Sequence, residues 1–172
     1  LAVLGELQSY RRSLLRTEAR VLADEPRLRA LLATDDISTA TIREIAFDIK
    51  SAVAAELFVL ADEDGTLLVD TADPEATGHD LNSKPLVAEA LVGGESSGTW
   101  MMNEALYQVQ AQRIEFDDQV MGVAVIGYRL DRRIAEAIYR LTASSIIIEY
   151  RGRVAILSSF EGRVSGDMKE MA

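Results

Sequence analysis

The amino-acid sequence predicts an α+β fold in which a long N-terminal helix packs across one face of an antiparallel sheet. Three observations predict this fold class. Apolar residues recur every seven positions at the start of the chain, as in an amphipathic helix. A strand–turn–strand pattern, LFVLADEDGTLLVDT, follows at residues 57–71, and its Asp64-Gly65 pair suits a tight hairpin. Several further strand patterns come after it.

The first element is a long helix predicted over residues 1–33. Pro26 is expected to kink or restart it, because proline has no amide hydrogen to donate. The charged residues Arg11 and Glu18 interrupt its apolar stripe. The stripe therefore leaves two interpretations open: a helix packed on its own domain, or a stalk paired with a second copy. The stripe consists of Leu4, Leu7, Leu14, Leu15, Val21, Leu22 and Leu28.

A second helix is predicted over residues 38–55, where Thr41 and Glu44 have the spacing of a capping box. The hairpin that follows has strands at 57–61 and 66–70. A polar loop with turn residues is expected at 72–84. Pro85 suits the first turn of a short helix over 85–92, which the Gly93-Gly94 pair ends.

The rest of the chain predicts more strands and one more helix. A short strand is expected at 99–102. Residues 106–114 alternate between two faces, and 120–128 are apolar on both faces, which indicates a central strand covered on both sides. The last elements are a helix at 131–141, a hairpin with strands at 145–150 and 154–159, and a polar tail at 161–172.

The composition limits the function. The formal net charge is −10, so a nucleic-acid partner is not expected, because phosphate binding needs a basic face. No cysteine is present, which excludes a disulfide scaffold and thiol catalysis. No apolar run approaches the roughly 20 residues of a membrane span. The chain opens on Leu1 inside an amphipathic pattern, and we interpret it as a fragment of a longer protein.

The sequence offers little for catalysis or for a metal. His79 is the single histidine, and its acidic neighbours match no metal motif. Asp62, Glu63 and Asp64 fall short of a calcium loop, and turn chemistry accounts for them better. No serine or threonine has the context of an activated nucleophile. We therefore expect no enzymatic activity, no metal and no cofactor in this segment.

A candidate pocket comes from aromatic residues on the later strands. Trp100 and Met102 share one face of their strand, and Tyr107 and Arg113 share one face of the next. Aromatic walls with one guanidinium suit a small carboxylate ligand. The alternative interpretation is that these side chains are ordinary core. The candidate ligand-binding residues are Trp100, Met102, Tyr107, Arg113 and Tyr128, with His79 and Lys84 at the mouth.

The order of these elements resembles the Cache (PAS-like) extracytoplasmic sensor domains of bacterial chemoreceptors, histidine kinases and cyclases. VLADEDGTLLVDT is similar to the family's opening hairpin, and TADPEATGHDLNSKPLVAEALVGGESSG resembles the loop and short helix after it. LYQVQAQRIEFDDQVMGVAVIGYRLD resembles the paired central strands, and SIIIEYRGRVAILSSF a hairpin of the double-Cache type. The resemblance covers about residues 50–160.

The resemblance implies a PAS-like sheet and a sensor domain on the periplasmic or extracellular side of the inner membrane. Binding of a small molecule there would rearrange helices and pass a signal to a kinase, chemotaxis or cyclase output. Membrane spans would flank the chain. From the apolar stripe of the N-terminal helix we expect a homodimer that forms through that helix. One departure matters: GESSGTWMMNEALYQV lacks the arginine of the family's amino-acid-binding signature, so amino-acid specificity is not implied.

The expected organisation is a stalk-side helix at 1–36, the sensor domain at 37–160 and the polar tail at 161–172. Two alternatives remain open at this level. One is a cytoplasmic PAS-type module that binds a cofactor, with haem at His79, or mediates dimerisation. The other is a dimerisation spacer whose pocket is filled by its own side chains.

Overall fold

The computed structural model describes residues 2–34, 36–103, 105–131, 136, 147–150 and 153–157. Gln8–Arg129 form one compact unit, and the other described residues, from both ends of the chain, belong to a second unit. In that second unit, strands β6 (Ile147–Tyr150) and β7 (Arg153–Leu157) form an antiparallel pair, as the sequence predicted. The predicted helix at 131–141, apart from residues 131 and 136, and the tail at 161–172 lie outside the described residues.

Four helices have described bounds: α1 (Ala2–Ala23), α2 (Pro26–Leu32), α3 (Thr39–Ala52) and α4 (Pro85–Gly93). Pro26 restarts the helix, as expected of a residue that is tolerated only in the first turn. The N-cap of α3 is Ser38, whose hydroxyl accepts a hydrogen bond from the Thr41 amide at 3.2 Å. The predicted start of this helix at 38 is confirmed to within one residue, but the cap is Ser38 and not Thr41.

Five strands form one antiparallel sheet in the order β2-β1-β5-β4-β3. Strand β5 lies between β1 and β4 and is buried along most of its length, which confirms that this apolar strand is central. Strand β3 is longer than predicted, because it begins directly after the glycine pair that ends α4. The bounds are β1 (Leu57–Asp62), β2 (Leu67–Asp70), β3 (Glu95–Met102), β4 (Ala105–Phe116) and β5 (Gln119–Leu130).

Each face of the sheet carries its own apolar core. One face, here called the α1 face, packs α1, α2 and α3 on residues such as Phe58 and Ile126. The other, the α4 face, packs α4 and the 72–84 loop on residues such as Val59 and Val125. Alternate residues of β1 and β5 thus enter different cores, because neighbouring side chains of a strand point to opposite faces.

Helix α1 uses only part of its predicted stripe to pack on the sheet. Leu15 and Leu22 are buried in the core of the α1 face, together with Ala19. Leu14 and Val21, which belong to the same seven-residue pattern, are 42% and 67% exposed. The helix therefore has two apolar sides, and among the described residues one is buried on the sheet while the other is exposed.

Candidate functional site

The aromatic residues predicted to form a pocket lie side by side on the α4 face. Trp100 of β3 is paired in register with Tyr107 of β4, and Met102 with Ala105. Trp100 is almost fully buried, whereas Tyr107 and Met102 are half-buried against the same core. The structure thus brings together three of the predicted site residues, with Trp100 serving also as core.

An arginine that the sequence analysis did not single out belongs to the same row. Gly127 of β5 lies against Val109 of β4, so closely that a Cβ on Gly127 would come within 2.8 Å of Val109 Cγ1. Two residues farther along these antiparallel strands, Arg129 therefore stands next to Tyr107 on the same face. The Arg129 amide donates to Glu56 Oε2 at 2.6 Å. Its guanidinium has no partner in the part of the chain that the structure describes.

Arg113 lies on the α4 face but its guanidinium is engaged elsewhere. Its Nη1 donates to the carbonyl oxygens of Leu91 and Val92, each at 2.9 Å. Its Nη2 forms an ion pair with Glu115. Carbonyls at the end of a helix attract cations, so Arg113 caps the C-terminal end of α4.

Tyr128 lies on the opposite face of the sheet and is not brought together with Trp100. Its hydroxyl is 2.9 Å from Glu18 Oε2 on α1 and 3.3 Å from the Val53 carbonyl oxygen at the end of α3. Burial, followed by the hydrogen bond to Glu18, raises the pKa of Tyr128 to about 12. The neutral hydroxyl therefore joins α1 to α3 throughout the neutral pH range.

His79 and Lys84 lie on the exposed loop before α4. The His79 carbonyl oxygen accepts from the Leu67 amide at 2.8 Å, which holds the loop against β2. Lys84 is the N-cap residue of α4 and forms no side-chain capping bond. Neither side chain forms a hydrogen bond or an ion pair with the aromatic row among the described residues, so their role at a pocket mouth stays a prediction.

The acidic turn at Asp62 to Gly65 is structural. Asp62 Oδ1 accepts from the amides of Asp64 and Thr66 at 3.0 and 2.8 Å, and Gly65 has a φ of 78°. Asn82 of the following loop donates to the Asp64 carbonyl oxygen at 2.6 Å. Within the described ranges, no group of three His, Cys, Asp or Glu side chains could hold a metal ion.

One buried acid lies on the α4 face, where the sequence analysis named none. Asp70, at the end of β2, is paired in register with Val59 and is only 4% exposed. Its Oδ1 accepts from the Ala72 amide at 2.8 Å. Burial raises the pKa of this carboxyl above its ordinary value, although the hydrogen bonds from the Ala72 and Asp73 amides oppose the shift.

Solved structures with the same fold are sensor domains. The Escherichia coli DcuS sensor domain matches with a TM-score of 0.61 and 22% identity, over 74% of this chain and 96% of that one. The Campylobacter jejuni Tlp3 domain in complex with 4-methylisoleucine matches with a TM-score of 0.58 and 13% identity, over 91% of this chain and 64% of that one. The Pseudomonas aeruginosa PctC domain in complex with GABA matches with a TM-score of 0.57 and 16% identity, over 91% of this chain and 74% of that one. These likenesses confirm the PAS-like fold class.

Comparison of sequences identifies the family. No curated protein matches the chain significantly. None of the described helices is long and apolar enough to cross a membrane. Residues 4–167 match a family described as the double sensory domain of two-component sensor kinases, which confirms the resemblance to Cache domains. The match spans nearly the whole chain, and the chain therefore belongs to this family of sensory domains.

Proposed function

We propose that this sensory domain binds a small organic carboxylate at the Trp100 end of the α4 face. The observation that carries the proposal is the row formed by Trp100, Tyr107 and Arg129: two aromatic side chains beside a guanidinium that has no partner among the described residues. Aromatic surfaces bind the apolar part of a small ligand, and a free guanidinium grips a carboxylate with two hydrogen bonds. Met102 and Asn103 lie at the edge of the same site.

The family supports a sensing role rather than catalysis. It is a sensory family, and domains of this kind are extracytoplasmic parts of membrane receptors, so this segment is not an enzyme. Tlp3 and PctC are solved with 4-methylisoleucine and GABA, both of which are amino acids with a carboxylate. These ligands support a carboxylate here. The ligand of this chain need not be an amino acid, because the expected arginine before Trp100 is missing.

We further propose that this domain is part of a membrane receptor. The domain lies on the periplasmic side of the inner membrane, with membrane spans outside this chain, and passes its signal to a kinase output. Ligand binding shifts the population between two arrangements of α1. In this proposal Arg113 holds α4, and Tyr128 acts on α1 from the other face. His79 and Lys84 remain candidates for the mouth of the site.

Trp100, the single tryptophan, makes the ligand test direct. A panel of dicarboxylates, hydroxy acids and amino acids should contain a compound that changes the fluorescence saturably and raises the melting temperature. Ligand at about 100 times its Kd stabilises a protein by about 2.7 kcal/mol. Arg129→Gln should weaken the binding of that compound about tenfold or more, because a charge-assisted hydrogen bond is lost.

Two other arginine variants make the test selective. Arg27→Gln, on the exposed side of α2, is the matched control and should leave the affinity unchanged. Arg113→Gln decides whether the carboxylate binds at that guanidinium instead. Binding that survives Arg129→Gln and is lost in Arg113→Gln would overturn our choice of Arg129. A panel without any fluorescence or thermal response would overturn the carboxylate site.

We also propose that a homodimer forms through the uncovered side of α1. Tyr10, Leu14 and Val21 lie on that side, with Tyr10 and Val21 each 67% exposed. Val21→Asp should abolish the dimer in analytical ultracentrifugation and leave the circular dichroism spectrum unchanged. Val92→Asp is the control, since Val92 is an equally apolar residue, 84% exposed, on α4. A Val21→Asp variant that stays dimeric would exclude this interface.

A further inference from the structure

A polar cleft of about 430 Å³ lies between α1 and the β3 edge of the sheet, on the face opposite the aromatic row. From α1 it is lined by Ser9, Arg12, Ser13 and Arg16. These residues follow one another at the i, i+3, i+4, i+7 spacing that places side chains on one side of a helix. The cleft is therefore built by a regular polar stripe next to the buried stripe of α1.

The cleft has an excess of positive charge. Glu95 of β3 accepts from Arg16 Nε at 2.9 Å and forms an ion pair with Arg20 at 3.3 Å. One carboxylate is thus shared by two guanidinium groups. Arg12 lines the same cleft and forms neither a hydrogen bond nor an ion pair with any described residue. This local excess stands out in a chain with a formal net charge of −10.

The floor of the cleft is a buried amide. Gln110 of β4 is 4% exposed, and its Nε2 donates to the Ala111 carbonyl oxygen at a long 3.2 Å. Its Oε1 accepts no hydrogen bond from the residues that the structure describes. The same holds for the hydroxyl groups of Ser9, Ser13 and Ser97. Buried polar groups are normally paired, so this amide is available to a bound molecule.

We propose that this cleft is a second ligand site, which takes a small hydroxylated organic anion with a carboxylate or phosphate group. Arg12 binds the anionic group, because its planar guanidinium matches the geometry of both. The serine hydroxyls and the Gln110 amide bind the hydroxyl groups of the ligand. The volume lies within the range of known small-molecule sites, about 300–1,000 Å³. The proposal is independent of the carboxylate site on the α4 face.

Binding in this cleft acts on α1 directly. The ligand would join Arg12 and Ser13 of α1 to Ser97 and Gln110 of the sheet, and so hold the helix against β3 and β4. A ligand on the α4 face reaches α1 only through the sheet. The two sites therefore bias the same helix from opposite faces, which couples their affinities if α1 has two arrangements.

Three probes test the site on the 172-residue chain: citrate, glucose 6-phosphate and inorganic phosphate, each at constant ionic strength. Titration calorimetry should give saturable binding for at least one of them. Amide NMR shifts should change at residues 9–16 and 95–97. Tighter binding of citrate would indicate a carboxylate ligand, and tighter binding of glucose 6-phosphate a phosphate ligand. Comparison of glucose 6-phosphate with inorganic phosphate shows whether the sugar hydroxyl groups add to the affinity.

Arg12→Gln should weaken this binding about tenfold or more, since it removes one charge-assisted contact. Arg11→Gln is the matched control: it removes the same charge from the next position of α1 but does not line the cleft. Ser97→Ala should weaken binding to a smaller extent, with the melting temperature unchanged. Trp100 fluorescence should not respond, because that side chain lies on the other face.

Two results would overturn the proposal. The first is that none of the three probes binds saturably at millimolar concentration. The second is an equal effect of Arg12→Gln and Arg11→Gln, which would indicate general attraction to the charge of α1. Either result leaves the carboxylate site on the α4 face untouched, since that site is tested by Trp100 fluorescence and Arg129→Gln.

Discussion

At the scale of single residues, the backbone of the central strand depends on Gly122. Gly122 is paired in register with Asp62 of β1, and it has a φ of 158°. A Cβ at this position would lie far inside van der Waals contact with the Ala61 carbonyl oxygen. That oxygen belongs to the backbone of a buried strand, so it cannot move aside at low energy.

Gly122→Ala should therefore lower the free energy of unfolding by about 2 kcal/mol or more. Gly93→Ala is the control, because a Cβ on Gly93 meets nothing within 4 Å. That variant should be neutral or slightly stabilising, since it restricts the unfolded chain. Urea unfolding of both variants gives the comparison. Equal stabilities would mean that β1 and β5 lie farther apart at Gly122 than described.

The buried carboxyl of Asp70 gives a pH dependence. Burial raises its pKa above the ordinary 3.8, so folding disfavours the ionised form. The contribution of Asp70 to stability is fully present below the unfolded pKa and is lost as the pH rises through the folded pKa. Asp70→Asn should thus raise the melting temperature at pH 7, with a gain that shrinks as the pH is lowered towards 3.8.

Asp80→Asn is the matched control for Asp70→Asn. Asp80 Oδ1 accepts from the amide two residues ahead at 2.8 Å, as Asp70 does, but Asp80 is exposed. Its substitution should change the melting temperature little at any pH. A destabilising Asp70→Asn at pH 7 would show that the charged carboxylate is needed, for instance by its bonds to the Ala72 and Asp73 amides.

At the scale of secondary-structure elements, α1 is the element whose role the sequence left open. Its seven-residue repeat contains two neighbouring residues with opposite environments: Leu22 is 3% exposed and Val21 is 67% exposed. Leu22 packs with Leu15 on Phe58 and Ile126 of the sheet. The repeat thus combines a stripe buried in the core with an exposed stripe. The first interpretation, a helix packed on its own domain, holds for the buried stripe, and the exposed stripe is the side on which we propose the dimer.

Leu22→Ala should lower the free energy of unfolding by about 2–4 kcal/mol, because it leaves a cavity in a packed core. Val21→Ala should change the unfolding of the monomer by less than about 0.5 kcal/mol. Denaturant unfolding measures the stability of both variants. It is done at low protein concentration, where any dimer dissociates and the exposed stripe of α1 has no partner. A small effect of Leu22→Ala would mean that α1 is detached from the sheet in solution.

Elements with local signals were predictable from sequence, whereas the composition of the site was not. The hairpin at Gly65, the restart at Pro26 and the end of α4 at Gly94 each depend on a residue whose backbone preference is visible in the sequence. Tyr128 and Arg129 are different. Residues 122–127 are buried on both faces, so no polar alternation tells which of the next two residues points to the α4 face. Arg129 was missed for this reason.

At the scale of the whole molecule, the net charge of −10 sets the long-range electrostatics. Acidic residues outnumber basic ones by 28 to 18, and the described ion pairs lie mostly at exposed positions. Exposed pairs contribute about 0–1 kcal/mol each, so repulsion among the excess carboxylates dominates at low salt. The negative net charge repels anions at long range, so both proposed anion sites must attract their ligands through nearby arginines.

This repulsion makes the stability of the chain depend on the salt concentration. Raising NaCl from about 10 mM to about 150 mM shortens the Debye length from about 30 Å to about 8 Å, so the melting temperature should rise. The double variant Glu44→Lys/Glu63→Lys takes the formal net charge from −10 to −6 at two exposed sites, and its salt response should be smaller. Differential scanning calorimetry at fixed pH measures both proteins. A melting temperature that falls with salt in the unmodified chain would mean that ion pairs such as Arg16–Glu95 outweigh the net repulsion. In that case Arg16→Gln, which breaks that pair, should remove the fall.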